Sequence, residues 1–343
     1  MSRTVEAVVA IVSFWKRVIG SSRARANDSN TPSGTAGASA AGPPARWDTA
    51  SVPRRDRSEQ VSSSPALEGV RPAVDGALGR FLGDRRAELA GMDPTAPALV
   101  DELLRLLEAG GKRVRPAICF WAFAAAGGPR GDPIVRVCAA LELLHTSALV
   151  HDDLMDRDDE RRGVPSTHVR FAKEAPAGAD PDAFGTAAAV LVGDLALVLS
   201  ERLMRTSGFV AGRLERGMAR FDRMRVEMAA GQFLDVSGSS DRVRVRALKT
   251  GSYTAEGPVL IGAALAGAGA DVEGPLRVFG RLVGEAFQLR DDVLDGDEGA
   301  DAAAHVDDLL SRAARTLVGA PLRPDGAEAL IEIAELLRSP RVS

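Results

Sequence analysis

Two short acidic runs lie about 140 residues apart in this chain, and both have a spacing that could do chemistry. The first reads His151-Asp152-Asp153-Leu154-Met155-Asp156; the second reads Gln288-Leu289-Arg290-Asp291-Asp292-Val293-Leu294-Asp295. In each, the first and last acids are four residues apart and would stack on one face of a helix. Carboxylates crowded in this way raise one another's pKa unless a cation sits between them. Two such clusters facing each other across a helical bundle would form a cage for hard divalent ions. Mg²⁺ suits it best, because it takes one or two carboxylates and completes its octahedron with water and phosphate oxygens. The chemistry implied is metal-assisted work on a diphosphate.

Acidic runs on helices are often no more than solvated faces. The flanking residues argue otherwise here. Residues 139–150, just before the first cluster, are almost wholly apolar, and Leu282, Val283, Ala286, Phe287 and Leu289 do the same for the second. Charges projecting from the ends of buried helices are costly unless they are paired or hold an ion.

The elements that must position these acids read as helices. The chain has 343 residues, is 45% hydrophobic but only 4% aromatic, and carries long Ala/Leu/Arg/Glu stretches with few strand signals. That pattern predicts an all-α protein, a single helical bundle with a central cavity. Helical periodicity covers about 66–91, 97–109, 116–126, 132–156, 181–206, 212–236, 242–250, 254–269, 273–295, 302–319 and 326–338. Gly110-Gly111 ends one segment and Pro116 can open the next. Gly127-Gly128-Pro129 and Gly163-Val164-Pro165 make further breaks.

Composition also excludes some classes. A net charge of −4 with acids and bases interspersed leaves no nucleic-acid footprint. No apolar run in the sequence reads as a membrane span. Cys119 and Cys138 sit in apolar helical contexts without metal spacing and read as buried thiols of a reducing cytoplasm. The first 20 residues contain a short apolar stretch that faintly resembles a signal core, and residues 21–65 are rich in Ser, Ala, Gly, Pro and Arg without periodicity. Residues 1–65 are therefore expected to be a weakly structured extension, with the functional domain over 66–343.

Further motifs accompany the two clusters. They are Gly110-Gly111-Lys112-Arg113-Val114-Arg115-Pro116, Arg161-Arg162-Gly163, Gly231-Gln232-Phe233-Leu234-Asp235 and Lys249-Thr250, with Phe287-Gln288 leading into the second cluster. Their order and spacing, from about residue 66 to 296, resemble the polyprenyl synthetase family of trans-isoprenyl diphosphate synthases. The resemblance implies condensation of isopentenyl diphosphate with an allylic diphosphate. The allylic partner ionises to a carbocation, and metals and fixed cations stabilise the departing pyrophosphate.

By resemblance, Asp152, Asp156 and Asp291 hold Mg²⁺ on the allylic diphosphate, up to three ions with substrate bound. Asp153, Asp292 and Asp295 supply carboxylates around that cluster. Arg161, Lys249 and Thr250 grip the same diphosphate, Gln288 and Gln232 position it, and Asp235 steadies the polar wall. Isopentenyl diphosphate binds without metal in this family, and Lys112, Arg115, His145 and Arg162 occupy the matching positions. Arg113 is left out of that set, because it points away from Lys112 on an irregular turn. The carbocation needs a dry pocket, which the aliphatic helix before Asp152 can wall. Ala148 and Ser147, small where fifteen-carbon synthases usually place aromatic rings, and Leu144 below them imply a twenty-carbon product, geranylgeranyl diphosphate. The resemblance also implies a cytoplasmic homodimer.

One part of the family pattern is missing. After Asp295 a loop bearing lysine normally closes over the allylic diphosphate; here no lysine follows Lys249. Other readings stay open: a product of fifteen carbons or of more than twenty, a class I terpene synthase on a related fold, or a weakly active or noncatalytic partner of a homologous synthase. Lys112, Arg115 and Arg162 argue against the terpene synthase, which has no second diphosphate site.

Overall fold

The longest apolar helices of the chain pack side by side, and the rest of the molecule is arranged around them. The computed structural model describes residues 64–338 apart from 242–243, 246 and 295–300, and excludes the side chains of Thr250, Asp292, Leu294 and Asp301. The helices are α1 (Pro65–Glu68), α2 (Arg71–Ala90), α3 (Ala98–Glu108), α4 (Val114–Ala125) and α5 (Asp132–Asp156). A two-residue hairpin follows, β1 (Glu160–Arg161) with β2 (Val164–Pro165), and then α6 (Thr167–Lys173), α7 (Pro181–Arg205) and α8 (Ala211–Val236). A π-helical segment, Ala247–Glu256, leads into α9 (Gly257–Ala266), α10 (Ala270–Leu294), α11 (Asp301–Leu317) and α12 (Pro324–Leu336). The all-α bundle is the fold that the sequence pattern predicts.

Helix α5 packs along α7, and α9 packs on both α4 and α8. Every residue from Gly257 to Leu265 of α9 is buried, so this helix is apolar around its whole circumference, as a central helix must be. Phe123, Phe221, Phe279, Leu103, Leu141, Leu143 and Leu144 fill the space between the layers. Local sequence sets the ends. The Asp180 side chain accepts from the Asp182 and Ala183 backbone N–H groups to start α7. Arg157, at φ 61°, stops α5 one residue beyond Asp156.

Several expectations are corrected. Periodicity predicts an ordinary helix over 242–250, but the chain passes through Arg244–Val245 into the ten-residue π segment, whose wider turn no 3.6-residue pattern signals. Helix α6 and the β1–β2 hairpin, both too short to show a period, were not predicted. The expectation that no apolar stretch could span a membrane also fails on length and composition, since α5 and α7 both qualify. In α5, however, 67% of the apolar window is buried inside the bundle, and in α7 50%. The apolarity of α5 is that of a core helix. Residues 1–63, most of the proposed extension, lie outside the described residues.

Candidate active site

The end of α5 carries the first acid cluster, and its three aspartates meet different surroundings. Asp152 is half-buried and accepts from Gln232 Nε2 of α8 at 2.9 Å. Lys249 Nζ, from the π segment, lies 3.4 Å from Asp152 and donates to Asp235 of α8 at 2.8 Å. Asp152, Gln232, Asp235 and Lys249 thus converge from three elements, as the motif reading expects. Asp156, one turn beyond, is exposed; partial burial of its carboxyl and the charge of Asp152 hold its pKa above the usual range. Burial would lower the Lys249 pKa, but the hydrogen bond to Asp235 and the charges of Asp152, Asp235 and Asp156 hold it above the ordinary lysine value.

Glycines bring these elements together. A Cβ at Gly231 would collide with the backbone of Lys249, and one at Gly284 of α10 with the carbonyl of Gly251. The π segment is therefore held between α8 and α10 at backbone contact, which sets Lys249 against Asp152 and brings α10 to the same segment. Helix α10 bears Gln288 and Asp291, both half-buried and both partnered. The side chains of Asp292 and Thr250, and all of residues 295–300, Asp295 included, lie outside the described residues.

A second group of cations lies further back along α5. Arg115, in the first turn of α4, donates to Thr254 Oγ1 at 3.1 Å and approaches His145 Nε2 at 3.4 Å. Its guanidinium sits over the Tyr253 ring, 4.4 Å from the centroid, while the Tyr253 hydroxyl is 2.6 Å from His145 Nδ1. Burial first, and then the charges of Arg115, Arg162, Arg113 and Arg161, push the His145 pKa well below its usual value. The imidazole is neutral at pH 7, so Nε2 can accept from Arg115 while Nδ1 carries the proton toward Tyr253. Tyr253 and Thr254 belong to this site and were missed in the sequence. The signal was there for Tyr253: it is the chain's one tyrosine and lies four residues after Lys249.

The loop that presents Lys112 and leads into Arg115 of α4 is locked from behind. Arg113, in a left-handed conformation at φ 55°, turns its buried side chain away from its neighbours. It donates to Asp75 of α2 at 2.8 Å, to Glu142 of α5 at 2.8 Å and to the Leu107 carbonyl at 3.0 Å. Leaving it out of the ligand set agrees with this geometry; Glu142, hidden in an apolar run, is its unforeseen partner. Burial and then the charge of Arg290 lower the Lys112 pKa.

The hairpin delivers the other two arginines. Arg162 and Gly163 have φ of 54° and 74°, the positive values that both central positions of a two-residue I′ hairpin require. Arg162 reaches the Gly110 carbonyl and so ties the hairpin to the Lys112 loop. Arg161 does not join Lys249. It donates to Asp153 at 2.7 Å and to Asp158 at 3.0 Å, and Asp153 is almost fully buried beneath it. Asp153 lies on the side of α5 that carries Glu142 and Thr146, where a small cavity is lined by these three residues and both arginines. Of the three positions expected to set product length, Ser147 and Leu144 are buried and Ala148 is half-buried, one turn before Asp152.

Among the described residues, no three His, Cys, Asp or Glu side chains are close enough to hold a metal unaided. The donor set nevertheless fits a hard divalent ion. Asp152 and Asp156 repel across one turn, and a single lysine offsets them.

The polyprenyl synthetase family model matches residues 97–318. The chain belongs to the polyprenyl synthetase family. It is similar to a geranylgeranyl diphosphate synthase of Methanosarcina mazei, 34% identical over 197 residues, covering 55% of this chain and 56% of the relative. It is also similar to a geranylfarnesyl diphosphate synthase of Aeropyrum pernix, 32% identical over 214 residues and covering 59% and 63%. The chain thus spans less than two thirds of the length of these two curated relatives. Among solved structures, the geranylgeranyl pyrophosphate synthase of Corynebacterium glutamicum, complexed with isoprenyl diphosphate and magnesium, has the same fold. Its TM-score is 0.74 at 23% identity, covering 80% of this chain and 99% of that one.

Proposed function

We propose that this member of the polyprenyl synthetase family is a prenyltransferase that joins isopentenyl diphosphate to an allylic diphosphate and releases pyrophosphate. The observation that carries the reading is the pairing of two unlike polar sites on one helix. Asp152 with Lys249, Gln232 and Asp235 makes one, and Arg115 with His145 makes the other, seven residues earlier on α5. Seven residues of helix span about 10 Å, a distance suited to two diphosphates lying side by side.

Asp152, Asp156 and Asp291 would hold Mg²⁺, which when bound neutralises charge on the departing diphosphate. Lys249 adds a fixed ammonium to that oxyanion, and Gln232 holds Asp152 in place. Arg115, Lys112 and Arg162 offer a metal-free grip on isopentenyl diphosphate, with arginine suited to bidentate contact. Neutral His145 steadies the Arg115 guanidinium without adding repulsion. The double bond of isopentenyl diphosphate then attacks the cation, and the departing pyrophosphate takes the proton. Arg161, tied to Asp153 and Asp158, would need to exchange those contacts to reach the allylic diphosphate.

Ala148 on the α5 face leading to Asp152 supports a twenty-carbon product, and the name of the first curated relative supports the same length. The exposed half of α7, with Val198 62% and Leu191 39% exposed, supports a twofold homodimer. The buried free thiols Cys119 and Cys138 are compatible with the cytoplasm. Incubation with Mg²⁺, isopentenyl diphosphate and each allylic primer, followed by chromatography, tests the reading. Elongation to geranylgeranyl diphosphate supports it; cyclised products from a single diphosphate would favour a terpene synthase, and no turnover a noncatalytic partner.

A further inference from the structure

Arg113 stands between Lys112 and Arg115 in the chain, yet it is buried where they are half-buried. The carboxylate it meets at 2.8 Å, Glu142 of α5, is only 3% exposed. A buried ion pair often does no better for stability than apolar residues of the same volume, so this one invites a reading in terms of what it orients. Both segments that carry the second group of cations end on it. The Gly110 carbonyl accepts from Arg113 Nη1 at 3.4 Å and also from Arg162 Nη1, so the Lys112 loop and the hairpin share one acceptor. A Cβ at Gly111 would collide with the Arg113 guanidinium and crowd that of Arg162, so both lie against the same glycine. Glu142 and Arg162 line the same small cavity. The charge of Glu142 favours the Arg162 guanidinium, while Arg113, Arg161 and Arg115 oppose it. Glu142 also lies one turn before His145 on α5, and His145 meets Arg115 at 3.4 Å.

We propose that Arg113 and Glu142 are positioning residues for isopentenyl diphosphate, a buried pair that holds Lys112, Arg115 and Arg162 at one spacing before the diphosphate arrives. Cations gathered in one place repel one another, and an unanchored loop would let them spread. Arg113 fastens the loop to three elements at once, through Asp75 of α2, the Leu107 carbonyl in the last turn of α3 and Glu142 of α5. A site ordered in advance binds more tightly, because the ligand has less ordering to impose. Neither residue touches the substrate; both act through the cations they hold. This rests on the two-site reading above.

The test compares wild type with Arg113→Lys, with Glu142→Gln, and with a double variant carrying Arg113→Met and Glu142→Met. The double variant removes one charge of each sign. Circular dichroism and melting report folding, and it should melt close to wild type, because neither partner is left buried alone and Asp75 keeps Arg71 nearby. Calorimetry with isopentenyl diphosphate in EDTA should show its binding weakened about tenfold or more in the double variant. Arg113→Lys and Glu142→Gln, which can each keep one hydrogen bond within the pair, should weaken it by about threefold or more. In steady state with Mg²⁺, KM for isopentenyl diphosphate should rise by the same factors while KM for the allylic primer stays within about twofold. Wild-type affinity for isopentenyl diphosphate in a folded double variant would overturn the proposal. Equal rises in both KM values would also overturn it, as the mark of a pair that merely holds the bundle together. If Glu142 acted only as a negative charge near a phosphate, Glu142→Gln would bind isopentenyl diphosphate more tightly, and that result would overturn it too. Should the double variant fail to fold, the two single variants decide by the same constants, unchanged affinity in both being the contrary result. A wild type that binds isopentenyl diphosphate but elongates no primer would instead overturn the proposed function, and the binding series would still decide the role of the pair.

Discussion

Lys249 lies 2.8 Å from Asp235 and 3.4 Å from Asp152, while Arg115 lies 3.4 Å from His145 and 3.1 Å from Thr254, so the two cations serve separate groups. Replacing each should therefore act on a different substrate. Lys249→Ala should raise KM for the allylic primer, and Lys112→Ala and Arg115→Ala should raise KM for isopentenyl diphosphate. Each effect should be tenfold or more, because a lost hydrogen bond to a charged group costs about 1.5–3 kcal/mol. Equal effects on both constants in all three variants would contradict the division. At this scale the motifs drew attention to residues that the structure brings together, and said less about whom each one touches. Asp152, Gln232, Asp235 and Lys249 meet as their types suggest. Arg161 was legible as a cation but not as the partner of Asp153, because side-chain direction at the helix end depends on where the hairpin returns. Tyr253 and Thr254 escaped notice because their role arises from a π turn.

Helix α8, the π segment and α10 meet at backbone contact, and glycine is what allows it. Gly231→Ala would place a Cβ against the Lys249 backbone. The helices must part or Lys249 must move, at a cost of about 1–3 kcal/mol. The expected outcome is a lower melting temperature together with a raised KM for the allylic primer; loss of stability with unchanged kinetics would show that Lys249 keeps its place by other means. A second junction holds the hairpin side of the molecule. Glu102 of α3, fully buried, accepts from Arg105 at 2.7 and 2.6 Å, from Thr167 at 2.8 Å and from Arg170 of α6. Burial would raise its pKa, but these bonds hold it below the usual carboxylate range. A depressed folded value means stability fully present above the ordinary Glu pKa of about 4.3, lost as pH falls through the folded value. Glu102→Gln should thus cost about 2–3 kcal/mol at pH 7, moderated because both arginines are a quarter exposed, with the gap closing in acid denaturation below about pH 4. A gap that stays constant down to pH 3 would contradict the pairing. Long helices such as α5 and α7 were plain from periodicity, which is strongest where many turns repeat. The hairpin, α6 and the buried Glu102 junction were not, since two to seven residues carry no period and a single acid looks solvated.

The bundle buries α9 from Gly257 to Leu265 and leaves half of the apolar window of α7 exposed, and the largely buried α5 carries both Asp152 and His145. Its inner face descends from Asp152 through half-buried Ala148 to the buried Leu144 and Leu141. If the prenyl tail follows that face, Ala148→Phe should shorten the product from twenty carbons to fifteen, because a packed site does not accommodate added bulk cheaply. Chromatography of the extended products reads this directly, and an unchanged twenty-carbon product would assign the floor to another helix. The fold class was legible because composition and period agree over the described helices; the wall expected for a prenyl tail rests in the sequence only on small residues along one helix. In the proposed reaction Asp152, near the end of α5, serves a metal-dependent condensation. The most direct measurement is the rate of incorporation of labelled isopentenyl diphosphate into prenyl product, with Mg²⁺ or EDTA, for wild type and Asp152→Ala. Incorporation should require Mg²⁺ in wild type and fall at least ~10²-fold in Asp152→Ala with unchanged circular dichroism, the scale of losing one electrostatic stabiliser of a transition state. Turnover that persists in EDTA, or an Asp152→Ala protein as fast as wild type, would contradict it.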